Sequence, residues 1–300
     1  MNILITGGAG FIGSHLAEYF QGKATVTILD NFRTGKHDNL KGLSVKLIEG
    51  SIVNKADVEK AVEGVDYVFH MAAQVSVPES VHNPLECLQI NGIGLLNVLE
   101  ASAQAGVKKL CFSSSSAVYG ENPASPKHEN LSPDPRSPYA LTKLDGEYYC
   151  AMYAALGRLK TTSLRYFNVY GPRQDPVSAY AAAIPIFLKK AQAGEALTIF
   201  GDGLQTRDFV FVKDIVAANV FAMTSPELTG VYNVGGGKSI TIKAIAERII
   251  ELTKSSSSIQ YQGERPGDVK HSCADADKLA KAGFTPRWDL ERGLHALVSI

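Results

Sequence analysis

The chain has 300 residues, with 30 Lys plus Arg and 30 Asp plus Glu, so its formal net charge is zero. This length suits one large domain or two coupled domains, and the lack of a basic excess argues against a nucleic-acid-binding protein. No apolar run reaches the roughly 18 residues of a membrane span, and the four scattered cysteines form no Cys-x-x-Cys pair, so we expect a cytoplasmic protein without a zinc site or a disulfide framework.

Short apolar runs alternate with amphipathic stretches in the first half of the chain. Strands are predicted at 2–6, 26–29, 67–69, 109–112 and 162–165, and helices at 11–21, 55–63, 84–105 and 139–156. Strands that alternate with helices form parallel sheets covered on both faces. The predicted fold class is therefore α/β, with a Rossmann-type doubly wound parallel sheet.

The pattern changes in the second half, where strand candidates become short and irregular. Helices are predicted at 179–194 and 213–224, and loops at 235–237, 255–258 and 264–268. We interpret this half as a smaller α/β substrate-binding domain. The predicted division places 1–167, with a return segment at about 213–236, in the first domain, and 168–212 and 237–300 in the second.

A glycine-rich turn, GGAGFIG at 7–13, follows the first predicted strand and opens the first predicted helix. In such a turn the first glycine permits the tight bend, the next lets the backbone approach a pyrophosphate, and the last allows close helix–strand packing. Asp30 ends the second predicted strand. A carboxylate at this position accepts hydrogen bonds from the adenosine ribose hydroxyls and repels a 2′-phosphate. The pattern favours NAD over NADP, although Arg33 offers an alternative partner for that phosphate.

A serine-rich loop and a Tyr-x-x-x-Lys sequence follow in the chain. Residues 111–120 (CFSSSSAVYG) predict a strand that runs into the loop, and ligands of doubly wound sheets lie outside the carboxyl ends of strands. Tyr139 and Lys143 are four residues apart and so share one face of a helix. A lysine ammonium near a phenol favours the phenolate, which suits a general base.

In this order the motifs resemble those of the extended short-chain dehydrogenase/reductase family, and in particular its nucleotide-sugar branch, the UDP-hexose 4-epimerases. The resemblance covers essentially the whole chain. It is carried by TGGAGFIGSH, LDN, HMAA, FSSSSAVYG, SPYALTK, RYFNVYGPRQDP, GDGLQTRDFVFVKDI and RPGDVKHSCAD. It implies an isomerase with tightly bound NAD, a UDP-sugar substrate, and a homodimer formed through the helices predicted at 84–105 and 139–156.

The resemblance also assigns roles to individual residues. Ser115, Tyr139 and Lys143 match the family's catalytic serine, base and lysine. The residues matched to NAD binding are Gly7, Gly10, Phe11, Ile12, Gly13, Asp30, Asn31, Arg33, Ser51, Ile52, Met71, Ala72, Gln74, Gln89, Ser113, Tyr139, Lys143 and Phe167. Those matched to the UDP-sugar are Ser115, Asn168, Ala182, Ala183, Thr198, Phe200, Arg207, Ile240, Arg265, Asp268 and Ser272.

Two matched positions depart from the family pattern. Ser51 stands where many relatives carry an acid that contacts the adenine amino group. Gln89 stands where relatives often have asparagine, so an amide is kept but the register of the alignment is open.

The reaction has several alternatives within this family. Sugar-nucleotide 4,6-dehydratases carry Thr-Asp-Glu before Val-Tyr-Gly, whereas this chain has Ser115, Ser116 and Ala117. This difference disfavours dehydration and, for the same reason, UDP-glucuronate decarboxylation. Asp30 disfavours an NADPH-consuming reductase, and the presence of both Tyr139 and Lys143 disfavours a non-catalytic NAD sensor. The expected reaction is a reversible oxidation at the sugar C4 through a 4-keto sugar.

One position bears on the sugar. Ser272 aligns with a residue that is a bulky tyrosine in epimerases restricted to glucose and galactose. A serine leaves room for a 2-acetamido group, and the segment 174–185 (QDPVSAYAAAIP) also resembles the branch that handles N-acetylhexosamines. We therefore expect turnover of UDP-N-acetylglucosamine and UDP-N-acetylgalactosamine, with UDP-glucose and UDP-galactose as further substrates.

Overall fold

The structure is a computed structural model that describes residues 1–176, 182–264 and 270–299. Its first strands and helices are β1 (Asn2–Thr6), α1 (Phe11–Phe20), β2 (Thr25–Asp30), β3 (Lys46–Glu49), α2 (Lys55–Val62), β4 (Tyr67–His70), α3 (Val77–His82), α4 (Pro84–Leu88), α5 (Gly94–Gln104), β5 (Lys109–Ser115), α6 (Pro138–Ala155) and β6 (Lys160–Tyr166). They are followed by β7 (Asn168–Tyr170), α7 (Ala183–Gln192), β8 (Leu197–Phe200), β9 (Thr206–Phe211), α8 (Val212–Thr224), β10 (Gly230–Val234), β11 (Ser239–Thr241), α9 (Ile242–Thr253), β12 (Ile259–Gln262), α10 (Asp277–Lys281) and α11 (Leu290–Val298).

The chain divides into two compact units. The first comprises Met1–Gly120, Ser132–Tyr166 and Val216–Tyr232, and the second comprises Glu121–Leu131, Phe167–Ile215 and Asn233–Ile300. The predicted boundary had placed residues 121–131 in the first domain. They cluster with the second unit because Lys127 N–H donates to Cys273 O at 2.8 Å and Asp275 N–H donates to Lys127 O at 2.7 Å. Such long-range backbone pairing leaves no local signal in the sequence.

The first unit is built on a sheet whose strands run in the order β10-β6-β5-β4-β1-β2-β3. All neighbouring pairs from β6 to β3 are parallel, with Ile5 of β1 opposite both Ile28 of β2 and Phe69 of β4. The central strands β1 and β4 are buried along nearly their whole length, as is typical of parallel sheets with helices on both faces. The predicted Rossmann-type α/β class is confirmed, and the order change beside β1 is the place where such sheets bind ligands.

The predicted helix at 84–105 is interrupted. α4 ends at Leu88, a π-helical turn follows over Gln89–Ile93, and α5 begins at Gly94. π-helical turns are frequent at functional sites because the extra residue re-aims side chains. The short helix α3 was not predicted. It begins at the N-cap Ser76, whose hydroxyl accepts the Glu79 N–H at 3.2 Å, and has Pro78 in its first turn.

The second unit contains two small sheets, in the orders β11-β9-β7 and β12-β8. Its apolar core includes Tyr170, Phe187, Ile199, Phe211 and Ile245. The helix predicted at 179–194 is observed as α7 from Ala183, and residues 177–181 lie outside the described residues. Among the residues that the structure describes, no helix is long and apolar enough to cross a membrane.

Candidate active site

The glycine turn between β1 and α1 is packed too closely to accept larger residues. Gly7 has a φ of +68°, and a Cβ there would lie 2.6 Å from Ala72 N. A Cβ at Gly13 would lie 2.2 Å from Gly7 O. Gly10 is the N-cap of α1 and brings no side chain to compete for the first-turn N–H groups of Phe11 and Ile12. The turn therefore offers a helix N-terminus to an anion, as a pyrophosphate requires.

Replacing Gly7 by Ala tests this cradle. Gly22 is a matched control because it has a φ of +72° and open space around it. Both alanine variants carry the strain of a left-handed backbone, but only Gly7→Ala also forces a contact with the backbone after β4. We expect Gly7→Ala to bind NAD about tenfold more weakly or worse, and Gly22→Ala to bind it normally. Calorimetric titration with NAD distinguishes the two, and equal affinities would contradict the packing argument.

Asp30 is buried at the end of β2. Its Oδ2 accepts the Ala9 N–H and its Oδ1 accepts the Phe32 N–H, each at 2.8 Å. The carboxylate thus shapes the glycine turn as well as the loop after β2. Each oxygen has further lone pairs, so the same group can accept ribose hydroxyls.

Arg33 is committed to other partners. Its guanidinium donates to Glu79 Oε1 at 2.7 Å and to Glu86 Oε2 at 3.0 Å. The hydrogen bond with Glu86, followed by that with Glu79, raises the pKa of Arg33 above its ordinary range. A guanidinium neutralised by two carboxylates is a poor partner for a 2′-phosphate, and this disfavours the NADP alternative. Asn31 is exposed beside it, and its Oδ1 accepts the Arg33 N–H at 3.2 Å.

Several other residues matched to NAD lie after β3 and β4 or in the π-helical turn. Ser51 N–H donates to Asp57 Oδ2 at 2.9 Å, and Ile52 is buried. Met71 and Ala72 directly follow β4 and are half-buried. Gln89 lies in the π-helical turn and is exposed, so the structure does not bring it to the buried loop after β4.

Asn91, two residues beyond Gln89, was missed. Its Oδ1 accepts the Gln74 N–H at 2.8 Å, and its Nδ2 donates to Gln74 O at 3.0 Å and to Thr142 Oγ1 at 3.1 Å. This buried amide joins the loop after β4 to α6. The sequence offered one signal for Asn91. The alignment of Gln89 with the family's asparagine was uncertain, and Asn91 is an asparagine two residues further along the same helical stretch.

The first unit fits NAD on two independent observations. One is the glycine turn, where a Cβ on Gly7 would lie 2.6 Å from Ala72 N and so would close the space that a pyrophosphate needs. The other is Gln74 Oε1, which is buried and has no hydrogen-bond partner among the described residues. A buried acceptor without a donor is costly, and a ligand hydroxyl or amide would satisfy it.

Ser115, Tyr139 and Lys143 come together at the carboxyl end of β5. Ser137 caps α6 by accepting the Ala140 N–H at 3.1 Å, and Pro138 is the first residue of the helix, which places Tyr139 in its first turn. The Ser115 hydroxyl accepts the Ala117 N–H at 3.2 Å and lies near enough to the Tyr139 phenol to lower its pKa. Lys143 Nζ lies 5.8 Å from the centre of the Tyr139 ring and donates to Ser113 O at 2.7 Å.

The electrostatics of this group follow from burial. Burial lowers the pKa of Lys143 to about 8, and the nearby Cys87 partly opposes that shift. Lys143 is therefore an ammonium at neutral pH and loses its charge as the pH rises above 8. Burial raises the pKa of Tyr139, whereas the Ser115 hydrogen bond lowers it. A cation beside the phenol, such as an oxidised nicotinamide ring, would favour the phenolate further.

A buried network behind these residues was also missed. Glu147, one turn beyond Lys143 on α6, accepts a hydrogen bond from Ser114 Oγ. It also pairs with Arg165, whose Nε lies 2.8 Å from Oε1 and whose Nη2 lies 2.6 Å from Oε2. Both side chains are under 5% exposed, at 4% and 3%. The ion pair ties β6 to α6, and the hydrogen bond from Ser114 ties β5 to the same carboxylate, so Glu147 supports the alignment of Ser115 with Tyr139.

The second unit carries most of the residues matched to the UDP-sugar. Asn168 lies on β7, Thr198 and Phe200 lie on β8, and Arg207 lies on β9. Ile240 of β11 is opposite Arg207, and Arg207 Nη1 donates to Thr206 O at 2.9 Å. The backbone thus orients the guanidinium. Phe167, matched to NAD, also belongs to this unit and is buried.

Other matched residues of this unit lie further along the chain. Ala182 is the N-cap of α7, and Ala183 is its first residue. Ser272 is half-buried and donates its N–H to Thr206 O at 3.1 Å. Phe200 lines a cavity of about 350 Å³ together with Gln205 and His271. Arg265 and Asp268 lie outside the described residues.

A family model for the NAD dependent epimerase/dehydratase family matches residues 3–235. The chain belongs to this family, which confirms both the family predicted from the motifs and NAD as the cofactor.

Among solved structures, the chain is similar to a UDP-N-acetylglucosamine 4-epimerase from Methanobrevibacter ruminantium in complex with UDP-N-acetylmuramic acid. The two are 44% identical with a TM-score of 0.95, covering 99% of this chain and 97% of that one. It is also similar to a UDP-glucose 4-epimerase from Thermus thermophilus in complex with NAD, at 38% identity, a TM-score of 0.92 and coverage of 100% and 98%. A curated relative from Bacillus cytotoxicus, a UDP-N-acetyl-alpha-D-glucosaminuronate decarboxylase, is 40% identical over 86% of this chain and 82% of its own length.

Proposed function

We propose that the protein is an NAD-dependent 4-epimerase of UDP-sugars that interconverts UDP-N-acetylglucosamine and UDP-N-acetylgalactosamine and also accepts UDP-glucose and UDP-galactose. The observation that carries the proposal is the grouping of Ser115, Tyr139 and Lys143 at the carboxyl end of β5, with Lys143 Nζ 5.8 Å from the centre of the Tyr139 ring. Similarity to UDP-N-acetylglucosamine and UDP-glucose 4-epimerases supports the substrate class. The proposed setting is the cytoplasm, in keeping with four free cysteine thiols.

The residues of the first unit divide the chemistry between them. Tyr139, as phenolate, takes the proton of the sugar 4-hydroxyl, and Ser115 hydrogen-bonds the same oxygen. The Lys143 ammonium stabilises the phenolate and binds the nicotinamide ribose. The glycine turn, Asp30 and Gln74 would hold NAD tightly, and NAD would supply a reversible hydride acceptor for C4 of the sugar. C4 would be inverted if the 4-keto sugar presented its opposite face before hydride return, and Tyr139 would then give the proton back to the C4 oxygen.

The second unit is proposed to hold the UDP while the sugar turns. Arg207 and Arg265 suit the diphosphate because a guanidinium binds oxygens bidentately. Asn168 is assigned to the same region, Thr198, Phe200 and Asp268 to the uridine, and Ser272 to the sugar. Firm binding of the nucleotide and freedom of the sugar are both required for return of hydride to the opposite face.

Decarboxylation of a UDP-glycuronate is the second candidate, because one relative at 40% identity is a UDP-N-acetyl-alpha-D-glucosaminuronate decarboxylase. Incubating the protein separately with UDP-N-acetylglucosamine, UDP-glucose and UDP-glucuronate, and resolving the products by chromatography, decides between them. The epimerase yields the galacto epimers with NAD retained through purification and no net change in NAD. Release of CO₂ from UDP-glucuronate without epimer formation would overturn the proposal, and net consumption of NADPH would indicate a reductase.

We further propose a homodimer formed through α4, α5 and α6. The large apolar side chains exposed along this surface are Leu85 (76% exposed) and Leu88 of α4, Ile93 of the π-helical turn, Tyr148 of α6, and Leu156 (64% exposed) at the C-cap of α6. An apolar patch of this kind commonly marks a protein interface. Because both helical stretches belong to one unit, a two-fold contact would bury the same patch on each copy.

The dimer is tested by placing a charge in this patch. We expect Leu85→Asp combined with Leu156→Asp to give a monomer by light scattering, because two carboxylates would be buried against apolar surface. Leu204→Asp is the matched control, since Leu204 is 59% exposed but lies in the second unit. A dimer that survives the double substitution, or a wild-type monomer, would overturn this proposal.

A further inference from the structure

The residues proposed to bind the UDP-sugar in the second unit converge on the start of β9. Ile240 of β11 is opposite Arg207, and Asn168 Nδ2 donates to Asp208 O at 3.0 Å. Ser272 N–H donates to the first residue of β9 at 3.1 Å. Three segments that are far apart in the sequence are therefore held by three consecutive residues of one strand.

The Asp208 side chain fastens two of these segments. Its Oδ1 accepts the Gly236 N–H at 2.7 Å, and its Oδ2 accepts the Gly237 N–H at 3.0 Å and the Ala274 N–H at 2.9 Å. The residue is fully buried, with 0% exposure. Burial raises its pKa to about 6, and the three N–H groups oppose that shift, so the group is ionised at neutral pH.

The turn packs so closely against Asp208 and Ala274 that it leaves little room for side chains on Gly235 and Gly236. A Cβ on Gly236 would lie 3.0 Å from Asp208 Oδ1, and one on Gly235 would lie 2.5 Å from the Ala274 Cβ. Gly237 is followed two residues later by β11, which carries Ile240, and Ala274 lies two residues after Ser272. Hydrogen bonds to a buried carboxylate are among the stronger ones in proteins. The carboxylate therefore fixes the backbone just before Ile240 and just after Ser272, the two predicted sugar-binding residues.

We propose that Asp208 is a positioning residue for UDP-sugar binding, which acts by clasping the 235–237 turn and the 272–274 segment onto β9. This inference rests on the proposed function. Asp208 itself touches no substrate, so its loss weakens binding of the nucleotide through displacement of Ser272 and Ile240, and it leaves the NAD site of the first unit intact.

Asp214 provides a matched control within the same unit. It is 2% exposed, and its two oxygens accept the Arg287 and Trp288 N–H groups at 2.9 Å. Asp214→Asn thus removes a buried carboxylate that fastens a segment without any predicted site residue. Asp208→Asn makes the same chemical change at the proposed clasp. In both variants the amide places N–H donors against backbone N–H groups.

The experiment is calorimetric titration of the NAD-loaded proteins with UDP at neutral pH, alongside thermal unfolding and KM and kcat for the epimerisation. We expect Asp208→Asn to bind UDP about tenfold more weakly and to raise KM far more than it lowers kcat. We expect Asp214→Asn to lose comparable thermal stability but to bind UDP as the wild type does. A purely structural role would move both variants alike.

Folded Asp208→Asn that binds UDP like the wild type would overturn the inference alone, whereas wild-type protein that binds no UDP would overturn the proposed function with it. If Asp208→Asn does not fold, Gly235→Ala replaces it, because its added Cβ would lie 2.5 Å from Ala274 Cβ and 2.9 Å from Asp208 Oδ2 and would push apart the two segments that the carboxylate holds. Weakened UDP binding by Gly235→Ala supports the clasp, and unchanged binding overturns it.

Discussion

Replacing Tyr139 by Phe is expected to lower kcat for UDP-sugar epimerisation on the order of 10³-fold, with no loss of NAD or of thermal stability. The variant removes one oxygen, the proposed general base, and leaves the ring that packs at the start of α6. General acid–base catalysis typically contributes 10²–10⁴-fold, and the neighbouring Ser115 hydroxyl is far too weak a base at neutral pH to take over from a phenolate. The rate is measured under saturating UDP-N-acetylglucosamine, with NAD quantified in the same preparation.

Tyr148→Phe is the control for this result, since Tyr148 lies on the same helix, is 60% exposed and loses the same atom. Combining Tyr139→Phe with Lys143→Ala is expected to abolish turnover while leaving the fold. Near-normal turnover in the Tyr139→Phe protein would exclude the proposed mechanism.

The wild-type rate should also fall as the pH rises above about 8, because Lys143 then loses the charge that stabilises the phenolate.

Much of the first unit could be predicted because its signals are local. β1, β2 and β5 are short apolar runs, and α6 has a serine cap followed by proline, so each element is specified within about a dozen residues. β3 was missed because its sequence, KLIE, mixes charges with only two apolar residues. Its strand form depends on pairing with β2, where Ile48 lies opposite Leu29. Tertiary contact decides such cases over local propensity.

The site divides in the same way. The motif residues Gly7, Ser115 and Tyr139 could be found because their spacing is tied to a turn or to a helix face. Glu147 and Asp208 could not, because their roles depend on partners far away in the sequence. Glu147 meets a serine 33 positions earlier, and Asp208 meets an N–H 66 positions later. A buried charge is visible as such only once its surroundings are known.

These hidden contacts bear on how the site is built. The catalytic residues need a fixed geometry, and a buried ion pair supplies it only when both partners are present, since removing one leaves an uncompensated charge. Arg165 and Glu147 are placed behind the reacting groups rather than among them, so they can stiffen the serine strand without competing for the sugar. Asp208 does the equivalent for the second unit through backbone donors alone.

Replacing Ser272 by Tyr is expected to lower kcat/KM for UDP-N-acetylglucosamine about 100-fold while leaving UDP-glucose turnover within a few-fold of the wild type. The physical reason is space: the Ser272 N–H donates to Thr206 O of β9 at 3.1 Å, so a backbone shift that made room for a larger side chain would lose this hydrogen bond. A phenol would occupy the room proposed for the 2-acetamido group. Overfilling a packed pocket costs about 1–3 kcal/mol, which corresponds to roughly 5- to 150-fold.

Ser272→Ala is the control, because it removes the hydroxyl and keeps the space. It should turn over both sugar classes, and this separates loss of room from loss of a hydrogen bond. Initial rates for the two UDP-sugars are measured with each variant at the same NAD content. An equal fall for both sugars in Ser272→Tyr would show that this position acts on the nucleotide or on the fold of the segment. A fall for UDP-N-acetylglucosamine alone would show that position 272 contacts the 2-substituent of the sugar, which lies away from the catalytic residues at C4.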